Sequence, residues 1–231
     1  LSNSGLEHLT GLVELDPERM RFTHGSILDD DALADAMKGC QTVFHLAALG
    51  SVPRSLEDPQ RTWSVNVTGT LRVLEAARGF GRGMQKRASL VERVVAASSS
   101  SVYGNQPELP KVETQSVRPL SPYAASKAAG ENLLNVYSAC YGLSTVSLRF
   151  FNIFGPRQPA DSAYAAVIPA FSKRFMEGER PVIFGDGEQS RDFTYVGNAV
   201  LAALLAGATP NKLAGQAVNI GTGSRVTIAQ L

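Results

Sequence analysis

The sequence predicts a doubly wound α/β domain, a parallel sheet covered by helices on both faces, followed by a smaller mixed portion. Three observations carry this. Strand-like and helix-like segments alternate along the first two thirds of the chain, the order that a parallel sheet with crossover helices requires. The strand-like segments are continuously apolar rather than alternating, as strands buried on both faces are. A chain of 231 residues can bury one sizeable core, or one domain and part of a second.

Met20 to Gly25 reads as a short strand, and Asp29 to Gly39 as a helix with acidic residues first and a closing glycine. Thr42 to Ala48 is a second, apolar strand. A Pro-bearing loop leads to a helix over 60–78, where Trp63, Val67, Leu71 and Leu74 stand at helical spacing. Gly79 to Arg87 is glycine-rich and basic and reads as a mobile surface loop. Val91 to Ser98 is the next strand. Pro122, a favoured first helical residue, opens a helix to Tyr141, and Leu143 to Arg149 is another strand. Beyond Gly155-Pro156 the rhythm breaks up into a helix over 165–177, the segment Pro181 to Gly185, the segment Arg191 to Val196 and a helix to Ala206. A further helix is expected to begin at Ile228. With Leu1 in place of an initiator methionine, segments are expected to be missing at both ends.

Lys plus Arg number 22 and Asp plus Glu 21, so neither nucleic acid nor an anionic membrane is expected as a partner. No stretch approaches the ~20 apolar residues that span a bilayer. Cys40 and Cys140 lie far apart, and with His8, His24 and His45 they are scattered singly. No metal site is expected, and a reducing cytoplasm fits better than a disulfide framework.

Chemistry concentrates in two segments. Tyr123 and Lys127 are four residues apart, so a helix stacks phenol and ammonium on one face, where the cation can lower the phenol's pKa. An unperturbed phenol titrates near ~10 and removes protons poorly at neutral pH. Ser98, Ser99 and Ser100 lie in Ala-Ala-Ser-Ser-Ser-Ser-Val-Tyr-Gly at a strand's carboxyl end, the edge where open α/β sheets bind ligands. His45, in an apolar strand, reads as structural, and Tyr103 as packing near the site without transferring protons.

The serine cluster with Val-Tyr-Gly, the Tyr-x-x-x-Lys pair and Leu148-Arg-Phe-Phe-Asn-Ile-Phe-Gly-Pro-Arg157 together resemble the extended short-chain dehydrogenase/reductases, specifically their NAD-dependent nucleotide-sugar epimerases and dehydratases. The segments 48–55, 155–158, 163–169 and 185–193 look most like UDP-N-acetylglucosamine 4-epimerases. The resemblance implies a Rossmann-like domain over 1–158, incomplete at its start, and a substrate-binding portion over 159–231 with elements returning to that domain. The glycine-rich turn that cradles the cofactor's pyrophosphate in the family is absent, and Leu1 to Leu12 resembles the segment following the family's second strand. Ser26 stands where relatives commonly place an aspartate at the adenine amine.

By this resemblance Tyr123, Lys127 and Ser99 are catalytic. NAD is the implied cofactor, beside Ala47, Ala48, Asn66, Ser98, Tyr123, Lys127 and Phe151. A UDP-sugar is the implied substrate. Ser51 and Arg54 would border the hexose, with Ser99 and Ser100 at the reacting end and Asn152 at the phosphates or sugar. Gln158 would meet an N-acetyl group, Ala166 and Val167 would present backbone to uracil, and Phe184 would stack on it. Arg191 would neutralise the diphosphate with its planar fork, or else pair with Asp192. The implied reaction is reversible inversion at C4 through a 4-keto sugar, in a cytoplasmic homodimer built on the helices beginning near Gln60 and Pro122. Dehydratases of the family place an Asp-Glu pair after the catalytic hydroxyl and decarboxylases a glutamate. Here Ser100 and Ser101 hold those positions, which favours epimerisation. A 4-reductase or a non-catalytic NAD-binding module are the other readings.

Overall fold

The computed structural model describes residues 16, 18–80, 89–160 and 166–231. Residues 81–88, most of the expected surface loop, and Leu1 to Leu12 therefore lie outside the described residues. The elements in chain order are α1 (Asp30–Ala36), β1 (Thr42–His45), α2 (Val52–Glu57), α3 (Pro59–Trp63), α4 (Gly69–Ala77), β2 (Arg93–Ser99), α5 (Pro122–Tyr141), β3 (Ser144–Phe150), β4 (Asn152–Phe154), α6 (Val167–Met176), β5 (Ser190–Arg191), β6 (Phe193–Tyr195), α7 (Val196–Ala208), β7 (Ala214–Ile220) and β8 (Val226–Thr227).

Strands β1, β2, β3 and β7 form one parallel sheet in that order. All of Ser144 to Arg149 in β3 is buried, as expected of a central strand covered on both sides. Val94 and Ala96 pack with Leu74, Leu134 and Tyr137 of α4 and α5 on one face. Val95, Val146 and Leu148 pack with Ala203 and Ala206 of α7 on the other. Alternate residues of β2 thus feed two cores, and the doubly wound α/β architecture follows.

Local chemistry sets the helix ends. Ser121 accepts from the Ala124 N–H, Pro122 occupies the first turn, and Gly142 closes α5 at φ 73°, the left-handed conformation that glycine adopts without penalty. Asp29 caps α1 by accepting from the N–H groups of Asp31 and Ala32.

Several expectations change. Met20 to Gly25 forms no strand. Met20 and Phe22 are exposed, and no described strand lies beside the segment to take its main-chain hydrogen bonds. The Pro-bearing loop is helical instead: Ser51 caps α2 and Asp58 caps α3, each followed by proline in the first turn. The helix over 60–78 carries a widened π turn at Ser64–Thr68 between α3 and α4. Strands not anticipated are β4, which pairs with β6, β7, which extends the main sheet beside β3, and β8, which pairs with β5. Ile228 follows β8 in a turn rather than a helix. Among the described residues no helix is long and apolar enough to cross a membrane.

Candidate active site

Parallel strands all deliver their carboxyl ends to one edge, and there β1 and β2 meet the start of α5. Ser99, the last residue of β2, caps a short 3-10 turn over Ser100–Tyr103. Its Oγ accepts from the Ser101 N–H at 3.2 Å and from the Ser101 hydroxyl at 2.9 Å. Both lone pairs are then filled, so the remaining Ser99 proton is the one available for its hydrogen bond with the Tyr123 phenol. Ser101 had entered the sequence reading only as an absent carboxylate; here it orients the serine beside it.

Tyr123 and Lys127 share one face of α5, with Lys127 Nζ 5.9 Å from the phenol ring centre. Nζ donates to the Ala97 carbonyl at 2.7 Å. Burial brings the Lys127 ammonium down to about 8, opposed by the Glu131 carboxylate. Burial likewise pushes the Tyr123 phenol up, opposed by the hydrogen bond from Ser99. The expectation that Lys127 lowers the phenol is therefore not met in this chain by itself. Withdrawing the phenolate from water outweighs the pull of Ser99.

Asn66 lies in the π turn of the helix before β2, a distortion common at functional sites. Its Oδ1 accepts from Leu49 N at 2.8 Å, and its Nδ2 donates to Leu49 O at 3.2 Å and Ser126 Oγ at 2.9 Å. One buried amide so clamps the loop bearing Ala47 and Ala48 to α5. Ala47 lines a small hollow with Asn66, Ser98 and Lys127. Ser98 is buried and its hydroxyl donates to Glu131 Oε1 at 2.5 Å, which leaves its main chain as the part facing any cofactor. His45 bonds Thr70 through Nε2 at 2.8 Å. Because the Thr70 proton goes to Asn66 O, the imidazole Nε2–H is the donor, and burial keeps this ring neutral down to about 4. Tyr103 is buried and donates to Asn219 Oδ1, a packing role.

A second hollow of about 280 Å³ lies between β4, β6 and α6. Asn152, Ala166, Val167, Phe184 and Arg191 all line it, five residues that the sequence places in four separate segments. Gln189, Phe171 and Ile228 also line it and were not anticipated. Ala166 precedes α6 with no side-chain cap, so that helix offers unfilled main-chain N–H groups. Phe184 is 83% exposed at the rim. Asp192 is committed to the Thr222 and Gly223 N–H groups and the Thr194 hydroxyl, and Arg191 donates to Ser190 O. Phe151 packs where a Cβ on Gly221 would come within 3.2 Å of its ring. Gln158 lies apart, in a hollow with Arg157 and Tyr195. Ser51 and Arg54 line another, between α2 and the loop before it. Nothing in the described contacts joins those three to Tyr123.

Glu131 and Arg149 are further residues that the sequence reading passed over. The signal was present: Glu131 repeats the four-residue spacing of Tyr123 and Lys127, and Arg149 is a lone charge in an apolar strand.

A parallel sheet with helices on both faces, and a Ser-Tyr-Lys group at its carboxyl edge, define the extended short-chain dehydrogenase/reductase class. Residues 2–221 match the family described as the NAD dependent epimerase/dehydratase family. The chain belongs to that family. It is 39% identical over 217 residues to a UDP-glucose 4-epimerase of Mycolicibacterium smegmatis, covering 93% of this chain and 65% of that protein. A UDP-N-acetylglucosamine 4-epimerase from Methanobrevibacter ruminantium, solved with UDP-N-acetylmuramic acid, superposes with a TM-score of 0.88 at 38% identity, covering 99% of this chain and 69% of that one. A UDP-glucuronic acid 4-epimerase from Bacillus cereus, solved with UDP-glucuronic acid and NAD, gives 0.79 at 32% identity, covering 96% and 67%. The chain thus spans about two thirds of the length of these relatives.

NAD is the cofactor of the family, and the residues present fit it. The Lys127 ammonium has three protons and spends one on Ala97 among the described residues, leaving two donors for a diol such as a ribose. The small side chain of Ala47 beside it leaves room at the sheet edge.

Proposed function

We propose that this protein inverts the configuration at C4 of a UDP-hexose, N-acetylated or plain, with NAD as cofactor. The observation that carries the reading is the hydrogen-bonded set at the end of β2. Ser101 fills the acceptor sites of Ser99, Ser99 is left to donate to Tyr123, and Lys127 stands one turn further along α5.

As phenolate, Tyr123 takes the proton of the sugar 4-hydroxyl and later returns it. Ser99, which draws the phenol down, would stabilise that charge or pass the proton. NAD, when bound, would supply the hydride acceptor and donor for C4. Lys127 contributes the fixed positive charge below. Ser100 and Ser101 cannot act as carboxylic acids, so the elimination that a dehydratase performs has no acid at this place.

The hollow under Phe184 suits the nucleotide. Its apolar lining offers Phe184 for stacking, the unfilled N–H groups at the start of α6 for a carbonyl-rich base, and Arg191 for phosphate. Anchoring UDP there would leave the hexose free to turn between two presentations of C4, so remote binding energy retains the oxidised sugar. Ser51, Arg54 and Gln158 would be brought to the sugar by the bound substrate rather than by contacts already made. The division at residue 158 and a cytoplasmic homodimer packed on α3 to α5 belong to the same proposal. Trp63 and Val136, both about half exposed on those helices, suit such an interface. Incubating the complete protein and NAD with UDP-glucose or UDP-N-acetylglucosamine, followed by proton NMR, should show the C4 epimer of at least one sugar. Stoichiometric loss of a reduced cofactor per turnover would point to a 4-reductase instead.

A further inference from the structure

Helix α5 carries three ionisable side chains at four-residue spacing, Tyr123, Lys127 and Glu131, so all three face the same side. Glu131 is 9% exposed. It takes two parallel hydrogen bonds from Arg149 of β3, Nε to Oε1 at 2.9 Å and Nη2 to Oε2 at 2.8 Å. Ser98 Oγ adds a third, to Oε1. The remaining amine of Arg149 reaches the Tyr103 hydroxyl at 2.8 Å, and that hydroxyl donates to Asn219 of β7. The carboxylate is held in one position from β2 and β3, with Tyr103 and Asn219 fixing the arginine behind it.

Replacing a buried ion pair with apolar side chains is often neutral or stabilising, so the pair is poorly explained as a device for stability. Its place suggests another use. Lys127 is seated on Ala97 and Glu131 on Ser98, consecutive residues of β2. The titratable groups around Lys127 and Glu131 are Tyr123 from the same helix, His45 from β1, Arg149 from β3 and, behind Arg149, Tyr103 from the turn after β2. Asn66, Thr70 and Asn219 from the other packed elements carry no charge. His45 is neutral at working pH, Arg149 is a cation, and Tyr103 is a neutral donor. Glu131 is the one anion among them, and its carboxylate opposes the burial that draws the ammonium toward neutrality.

We propose that Glu131 is a positioning residue for the proton transfer, its carboxylate fixed by Arg149 and Ser98 so that Lys127 stays charged and seated below Tyr123. The proposal rests on the reading of Tyr123 and Lys127 as the proton-transfer pair, but its test does not need turnover. In the complete protein labelled with carbon-13 at lysine Cε, the Lys127 signal is identified by its loss in K127M and titrated by NMR. In E131Q the midpoint should fall from about 8 by about one unit or more, since the anion is gone and Arg149 is left uncompensated. In E131D, which keeps the charge, it should stay within about half a unit of the parent. The basic limb of kcat should move with it while KM stays nearly constant. Should E131Q not fold, the double variant E131L/R149M removes both charges without stranding either, and the Lys127 midpoint should again fall. An unchanged midpoint and an unchanged basic limb in a folded variant would overturn the proposal and leave Tyr123 chemistry standing. Absence of any C4 epimer with the parent protein would instead sink the proposed function and leave the titration intact.

Discussion

His45 shows how a single side chain ties the site to stability. Its ring is buried against Thr70 at the end of β1 and titrates at about 4 rather than 6.5. Between those values the unfolded chain takes up a proton that the folded chain refuses, so stability present above pH 6.5 is lost as pH falls toward 4. The full difference is about 3 kcal/mol. H45Q, which keeps an amide donor for Thr70 and cannot titrate, should show a flatter loss. Urea midpoints at pH 7 and pH 5 read this directly, and equal pH dependence in parent and variant would refute it. At the same scale, Tyr123 and Lys127 stood out by their spacing taken together with the serine cluster. The direction of the phenol's shift was not, because it depends on how far folding withdraws the ring from water, which no spacing records.

At the scale of elements, the turn after β2 decides where Ser99 points. Gly104 closes that turn at φ 63°, ψ −146°, a region that only glycine occupies readily. A Cβ there would stand 2.2 Å from the Arg118 carbonyl oxygen. G104A should therefore cost about 3 kcal/mol or more and loosen Ser99 from Tyr123. Denaturant unfolding measures the first effect, and an alanine variant as stable as the parent would show that the turn is not fixed this way. Helix α5 was legible to the residue because Ser121, Pro122 and Gly142 mark its ends locally. Strand β7 was not, since Gly215 and Asn219 interrupt its apolar run and its partner β3 lies some seventy residues earlier. The opposite error, a strand at Met20 to Gly25, came from a short segment that finds no ladder to join among the described strands.

For the whole molecule, the sheet order brings together what the chain keeps apart. Ser99 from β2 and Tyr123 from α5 meet at one edge, while β4, β5 and the loop before β5 carry Asn152, Arg191 and Phe184 to a separate hollow. Alternation of strands and helices made the architecture legible, and the motifs singled out Tyr123 and Lys127, which α5 places on one face. The hexose-side residues were named by resemblance, and of these Ser51, Arg54 and Gln158 lie in other hollows. A site divided between two layers is recorded only in tertiary packing.

The central claim is that Tyr123 moves the proton of the sugar hydroxyl. Its most direct measurement compares C4 inversion by the complete protein and by Y123F, with NAD and UDP-sugar at saturation and folding checked by circular dichroism. The account predicts a fall in kcat of about a thousandfold, within the range that loss of a general base produces. A folded Y123F that turns over at the parent rate would contradict it.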